Sequence, residues 1–351
     1  MSGVFTYSNP QVIHWGPGSV SALAGELARL EATRIALVST RSLIAEKRLV
    51  DIVTLALGDA RIAATVVVSQ HAPMVEVDAA LERGAEAGAN GVVSFGGGSS
   101  IDAAKMIAVR LADRSGKAAR GLPHIAVPTT LSVAELAAGA GFTDSAGNKA
   151  GMRDSRLLPD AVIYDAELTR ATPMSLWLST GIRALDHAIE GFLAEGLHPF
   201  SDVLALEAIR RLFDSLPRAQ AVPDDVDIRT ENQLAAWFSF TLPAQSAGGL
   251  SHVMGKQIGA RHGIPHGVTS CLLLPHVMRY LERRMPDRVA LLAGATGPDP
   301  ARRVQALIQS LALPQHIAAS GIGEPELRKA AGELAGKYPA EDLLKIYLAA
   351  L

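Results

Sequence analysis

The sequence predicts two consecutive domains: an α/β domain with a parallel sheet over residues 1–166, then an all-α domain over residues 167–351. Three observations carry this. Short apolar runs recur as far as residues 161–164, most of them followed by an amphipathic stretch, the pattern of a parallel sheet covered by helices on both faces. From Thr169 onward the apolar spacing is helical, punctuated by Pro173, Pro199, Pro217, Pro243, Pro265, Pro286 and Pro314, read here as helix breakers. A chain of 351 residues is also long enough for two separate cores.

Taken in order, residues 4–7 and 12–15 read as short strands, followed by the turn Gly16-Pro17-Gly18. Ser19 reads as the N-cap of an Ala/Leu-rich helix. Apolar strands follow at 35–39, 65–69, 91–95 and 124–127, with helices after Thr40, at 75–87 and at 100–112. A glycine-rich hairpin within 142–165 leads to the last strand, 161–164, and the domain boundary falls near 165–168. Residues 280–351 hold charged amphipathic helices, for example 324–334 and 340–348; they carry no evident chemistry and read as an outer shell.

Net charge is −2, so there is no field to attract nucleic acid or an anionic membrane, and a small-molecule substrate is expected. The single cysteine, Cys271, suits a reducing compartment and reads as a buried structural thiol in its apolar run. The N-terminus lacks a basic start and an apolar segment, and no stretch approaches membrane-spanning length, which points to a soluble, cytoplasmic enzyme.

In a parallel sheet, ligands bind beyond the carboxyl ends of the strands. Two loops stand there. The first is GGGSSID at 96–102, where Gly96, Gly97 and Gly98 follow a strand and open a helix. Glycines let backbone N–H groups approach a pyrophosphate at the positive end of a helix. A glycine triplet alone is as often a tight turn, and G-x-G-x-x-G is absent; the strand before and helix after favour phosphate. The second loop, 128–136, offers the hydroxyls of Thr129 and Thr130, although Thr-Thr after Pro is also plain turn chemistry. At the end of strand 35–39, enzymes preferring NAD usually place a carboxylate on the ribose 2′-hydroxyl. Here Thr40 is followed by Arg41, which admits a 2′-phosphate; Arg41 as a solvated charge is nearly as good a reading. Arg153 reads as a surface charge.

The chemistry-bearing stretch is 249–276, with His252, His262 and His266 inside fifteen residues and an apolar run ending at Pro275. Leu250, Met254 and Ile258 form a helical stripe, and His252 and Lys256 share a face at i and i+4 among apolar surroundings. A second helical pattern, 179–192, has Ile182, Leu185, Ile189 and Phe192 apolar, with pairs Arg183/His187 and Asp186/Glu190 between them. Charges beside a histidine on a mostly apolar helix suggest a buried, paired cluster. Taken alone, a hydrogen-bonded core histidine fits as well as a ligand.

Together the two stretches resemble the iron-containing alcohol dehydrogenase family and, within it, the maleylacetate reductase branch. The family's first motif, G-x-D-A-L-x-H-A-I-E, stands here as GIRALDHAIE at 181–190; its second appears as GLSHVMGKQIG, PHG at 265–267 and LPH at 274–276. The match extends, less strictly, over nearly the whole chain. It implies a dehydroquinate synthase-like architecture with a Rossmann-like dinucleotide-binding domain, a homodimer, and NADH or NADPH as cofactor. Through the family's G-G-G-S-x-x-D-x-x-K it also assigns Ser99, Asp102 and Lys105 to dinucleotide contact and local structure, and it sets Lys149 near ribose and phosphate. The family's Ser-Glu after P-T-T is Ala134-Glu135 here, in a loop of the maleylacetate reductase length.

The departures matter as much. Metal-dependent members hold a divalent ion with one Asp and three His, and the histidines correspond to His187, His252 and His266. The Asp position is Arg183, where the reductase branch usually has Asn, and a histidine position is Lys256. A guanidinium cannot ligate a metal and repels one. The expectation is a metal site converted to a cationic one, with no metal and with Arg183, His187, His252, Lys256 and His266 acting on an anionic unsaturated oxo-acid such as maleylacetate. Two other readings stay open: a metal-dependent alcohol or aldehyde dehydrogenase using the three histidines, and a non-redox member of the wider superfamily or a binding protein that has lost catalysis.

Overall fold

A computed structural model of the chain describes residues 10–116, 119–147, 149–196, 198–240 and 249–351. The expected strand at 4–7 and the expected breaker Pro243 lie outside them. The chain divides into two compact units: one runs to Pro173 and takes in Asp224–Gln233, the other comprises Met174–Pro223 and Leu234–Leu351.

In the first unit the strands are β1 (Val12–Trp15), β2 (Arg34–Ser39), β3 (Arg61–Val67), β4 (Gly91–Gly96), β5 (His124–Pro128), β6 (Gly139–Thr143), β7 (Lys149–Arg153) and β8 (Ala161–Tyr164). Six of them form a parallel sheet in the order β1-β8-β5-β4-β2-β3, and β6 and β7 pair as an antiparallel hairpin. The central strands read as unbroken apolar runs because both faces are covered. Ala36, Val38 and Val92 point to a core with Ala103, Met106 and Ile107 of the Gly98–Arg114 helix. Ile35, Leu37, Val93 and Phe95 point to the opposite core, with Leu23, Leu27 and Val53. Chain order moves outward from β2 to β3 on one side and from β4 to β5 on the other, so β2 and β4 flank the switch point where a ligand crevice opens. Pairings Ser39↔Phe95 and Gly96↔Pro128 bring the ends of β2, β4 and β5 to one edge.

Several expectations need correction. Strand β3 spans 61–67 rather than 65–69: it is an edge strand whose pairing with β2 begins at Arg61, ahead of the valine run that carries the strongest apolar signal. Ser19 is not a side-chain cap. Its hydroxyl donates to the Tyr164 carbonyl, while Asp165, far along the chain, accepts the N–H groups of Gly18 at 3.1 Å and Val20 at 3.0 Å. The helix after the glycine loop begins at Gly98, two residues early.

The second unit is helical. Its central element, Met174–Phe192, is buried at every position from Trp177 to Phe192, as a helix surrounded by others must be. Beside it run Pro199–Ala221, Leu250–His262 and His266–Glu282. Pro217 and Pro275 do not break their helices but sit inside them. Burial of Leu212, Leu216 and Ala219 around Pro217, and of Leu272 to Leu274, Val277 and Met278 around Pro275, outweighs the roughly 3 kcal/mol that an interior proline costs. The Ala340–Ala349 helix is more than a shell, since Tyr347 is fully buried and its hydroxyl donates to the Met254 carbonyl at 3.0 Å. Among the described residues no helix is long and apolar enough to cross a membrane.

Candidate active site

At the carboxyl edge of the sheet, the two loops expected to hold a cofactor lie against each other. The Thr129 N–H donates to the Gly96 carbonyl at 3.0 Å. Gly96 has φ +152°, and a Cβ there would stand 2.6 Å from Ser100 Oγ; a Cβ on Gly97 would stand 3.0 Å from Thr130 Cγ2. Only glycine lets the chain pass this closely. Around the loop, Oγ of Ser100, Oγ1 of Thr130 and Oγ of Ser132 are buried without a partner. Buried hydroxyls are nearly always bonded, so three orphans beside a helix N-terminus fit a site whose acceptor oxygens arrive with a ligand. Diphosphate oxygens of a dinucleotide supply such acceptors.

The surrounding loops are held from within. Lys105 is fully buried; its ammonium donates to the carbonyls of Ala134, Ala137 at 2.8 Å and Gly139 at 2.8 Å, and lies 3.7 Å from Asp102. Burial pulls the Lys105 pKa down and pushes Asp102 up, each opposed by the other's charge. Asp102 also accepts the Gly141 N–H at 3.0 Å, so this residue ties the helix to the β6 strand. Lys149, on β7, is close enough for its charge to act on both Asp102 and His71. Glu135, buried beside Lys105, accepts the Tyr164 hydroxyl. Thr40 follows β2 at the N-cap position of the next helix, with Arg41 exposed beside it, and Arg153 is exposed as expected.

The sequence reading missed His71 and Ala72, consecutive non-glycine residues with φ of 70° and 44° in the loop after β3. The His71 N–H donates to Ser99 Oγ at 2.9 Å, tying this loop to the glycine loop. Such backbone strain marks functional loops, and nothing in the local sequence, which lacks glycine there, announces it.

In the helical unit, Arg183, His187, His252 and His266 come together. The rings of His187 and His252 lie 5.9 Å apart and those of His252 and His266 are stacked at 6.4 Å, with Phe240 edge-on to His187 at 5.0 Å. Arg183 is buried; Nη1 bonds Ser270 Oγ at 2.9 Å and Asp186 Oδ2 at 3.2 Å, and Nη2 meets Nδ1 of His252. Burial, then the charges of Arg183 and His266, hold the His187 pKa well below the usual value, so its ring is neutral. Glu190 accepts the N–H groups of Ser251 and His252, capping the first turn of their helix. A Cβ on Gly249 would stand 2.3 Å from Glu190 Cδ, which explains glycine at that position. Burial and the neighbouring Asp186 push the Glu190 carboxyl well up.

Not every expected residue joins the cluster. Lys256 is exposed on the His252 helix rather than set in apolar surroundings, because only one side of that helix is covered. His262 is exposed at the helix end. Cys271 is buried with its thiol donating to the Gly267 carbonyl, and burial pushes its pKa up, as a structural thiol requires. Asp186 and Ser270, which the pattern did not single out as site residues, are partners of Arg183, and Ser251 in turn donates to Asp186.

Comparison with known proteins places both halves. Residues 10–166 match the family model described as iron-containing alcohol dehydrogenase, and residues 177–338 match the one described as Fe-containing alcohol dehydrogenase family, C-terminal. The chain is 31% identical over 336 residues to a maleylacetate reductase of Rhizobium sp. (strain MTP-10005), covering 95% of this chain and 92% of that one. It is 30% identical over 348 residues to a maleylacetate reductase of Pseudomonas aeruginosa, covering 97% and 93%. The crystal structure of maleylacetate reductase from Agrobacterium tumefaciens is similar over 100% of this chain and 98% of that one, with a TM-score of 0.88 at 28% identity. The glycine loop with its orphan hydroxyls and the histidine cluster thus stand in a chain whose two matched segments both point one way: the protein belongs to the iron-containing alcohol dehydrogenase family and is an NAD(P)-dependent oxidoreductase of it.

Proposed function

We propose that the protein is a metal-independent reductase that transfers hydride from NADH or NADPH to an anionic unsaturated oxo-acid of the maleylacetate type. The observation that carries this reading is Arg183 standing inside the three-histidine cluster and bonded to His252. It is supported by relatives named maleylacetate reductases at about 30% identity over nine-tenths of both chains. A guanidinium only donates, so Nδ1 of His252 accepts, and the neutral ring carries its proton on Nε2. Neither nitrogen then offers a lone pair to a metal, and the adjoining positive charge opposes one. Among the described residues no group of three His, Cys, Asp or Glu is arranged to hold an ion. The residues present do not suit a divalent metal.

The dinucleotide fits the Gly96–Gly98 loop, Ser99, Asp102, Thr129, Thr130 and Lys149, with Thr40 and Arg41 tolerating a 2′-phosphate. When bound, its reduced nicotinamide supplies the hydride. The chain does the rest. Arg183 and Lys256 provide positive charge for a carboxylate-bearing substrate. Hydride addition to the alkene carbon conjugated with the ketone leaves an enolate, whose oxygen is stabilised by fixed donors rather than by a Lewis acid. His252 donates its Nε2–H as a hydrogen bond to the enolate oxygen, and the enolate carbon takes its proton from solvent to give the saturated oxo-acid.

NAD(P)H oxidation with maleylacetate in excess EDTA tests both parts. Turnover undiminished by the chelator is expected. Turnover only after iron or zinc is restored would instead favour the second reading, a metal-dependent alcohol or aldehyde dehydrogenase, for which the mutual approach of the three histidine rings speaks.

A further inference from the structure

We propose that Asp186 is a positioning residue of this reaction: acting through Arg183, it fixes His252 as the tautomer that carries its proton on Nε2. The inference rests on reading the histidine cluster as the substrate site. Arg183, Asp186 and Glu190 stand at i, i+3 and i+7 on one face of the Met174–Phe192 helix, and all three reach the first turn of the Leu250–His262 helix.

Asp186 Oδ2 is a junction. It accepts Ser270 Oγ at 2.6 Å, Ser251 Oγ at 3.0 Å and Arg183 Nη1 at 3.2 Å, donors borne by three helices. Ser270 closes a triangle, because its oxygen accepts from Nη1 at 2.9 Å while its hydroxyl proton goes to Asp186. With Nη1 held by two oxygens, the plane of the rigid guanidinium is set, and with it the direction of Nη2. Nη2 meets His252 Nδ1, and a group with no acceptor can stand there only if Nδ1 is unprotonated. Glu190 meanwhile holds the backbone N–H groups of Ser251 and His252, so ring and main chain are set by one face of one helix. Asp186 itself is fully buried and takes no part in contact with solvent. The arrangement parallels the way a buried carboxylate orients a catalytic imidazole, with a guanidinium interposed.

The test is long-range proton–nitrogen correlation NMR on full-length protein labelled with ¹⁵N-histidine, with His252 assigned by comparison with His252→Gln. The wild type should show His252 protonated on Nε2. Asp186→Ala and Ser270→Ala should give an averaged or Nδ1-protonated ring, and kcat on the order of a hundredfold lower with KM for the dinucleotide unchanged. Ser270→Ala is the milder variant and reads the same junction should Asp186→Ala not fold. A wild-type ring protonated on Nδ1 overturns the proposal, as does an unchanged tautomer in the variants. Because the spectra need no substrate, failure here is distinct from failure of the maleylacetate reading, which shows as absent turnover with the tautomer as stated.

Discussion

The Tyr164 hydroxyl donates to Oε1 of Glu135 at 2.8 Å, and the other carboxylate oxygen, Oε2, is buried with no partner. Burial is the chief cause that pushes the Glu135 carboxyl from 4.5 up to about 7, against the opposing effects of Tyr164 and Lys105. The folded state therefore binds a proton that the unfolded chain has released. This contribution is fully present below pH 4.5 and is lost as pH rises through 7, on the order of 3 kcal/mol in all. Glu135→Gln mimics the protonated acid and keeps an acceptor for Tyr164. Its stability relative to wild type should climb between pH 5 and pH 7 and then level off, as read from urea unfolding at each pH. A difference constant with pH would falsify the assignment.

Thr130 separates folding from binding. Its buried hydroxyl has no partner in the protein, so Thr130→Val, nearly isosteric, removes an unsatisfied group. Thermal stability should stay equal or rise. Affinity for NADH should nevertheless fall by about tenfold, or about 1.4 kcal/mol, because a hydroxyl that bonds the ligand is gone. Differential scanning fluorimetry and fluorescence titration give the two numbers. Unchanged affinity would remove Thr130 from the cofactor site.

These two residues illustrate how unevenly the sequence speaks. Apolar strand runs, the glycine loop and the buried Arg183–Glu190 pattern are visible because they follow from local period and composition, and the sheet and central helix appear where that period requires. The partners are not visible. Asp165 caps residues 145 and 147 positions away, and Ser270 reaches Arg183 across 87 positions, bonds that no spacing encodes. The i, i+4 rule paired Arg183 with His187, whereas its guanidinium bonds Asp186, one position closer. Pro217 fails as a stop signal for the same reason, since side-chain packing on both sides overrides the backbone penalty.

Lys256 and Arg183 both lend positive charge, yet their substitutions should behave differently. Arg183 is buried against Asp186, and Arg183→Met would leave that buried carboxylate with its serine donors but without a countercharge, a loss on the order of 3 kcal/mol in stability. Lys256 is exposed, so Lys256→Met should change stability by less than about 0.5 kcal/mol. It should still raise KM for the anionic oxo-acid by about tenfold, with KM for the dinucleotide unchanged. Steady-state kinetics with each substrate varied in turn decides this, and an unaltered oxo-acid KM would place Lys256 outside the substrate site.

A gap in carboxylates at the end of β2 leads to the last prediction. Thr40 holds the N-cap position of the helix that begins at Arg41 without a side-chain cap bond, its hydroxyl lying 3.1 Å from Ser42 Oγ, and the residue at that position is not a carboxylate that could bond a ribose 2′-hydroxyl or repel a 2′-phosphate. Thr40→Asp should be neutral for folding, because Asp caps a helix as well as Thr and its charge suits the helix N-terminus. It should shift preference toward NADH, lowering kcat/KM for NADPH relative to NADH by about tenfold to a hundredfold. The mechanism is repulsion of the 2′-phosphate by a carboxylate that the exposed Arg41 only partly offsets. If the ratio of the two specificity constants does not move, the ribose lies away from β2 and the cofactor-selectivity reading of Thr40 and Arg41 is wrong.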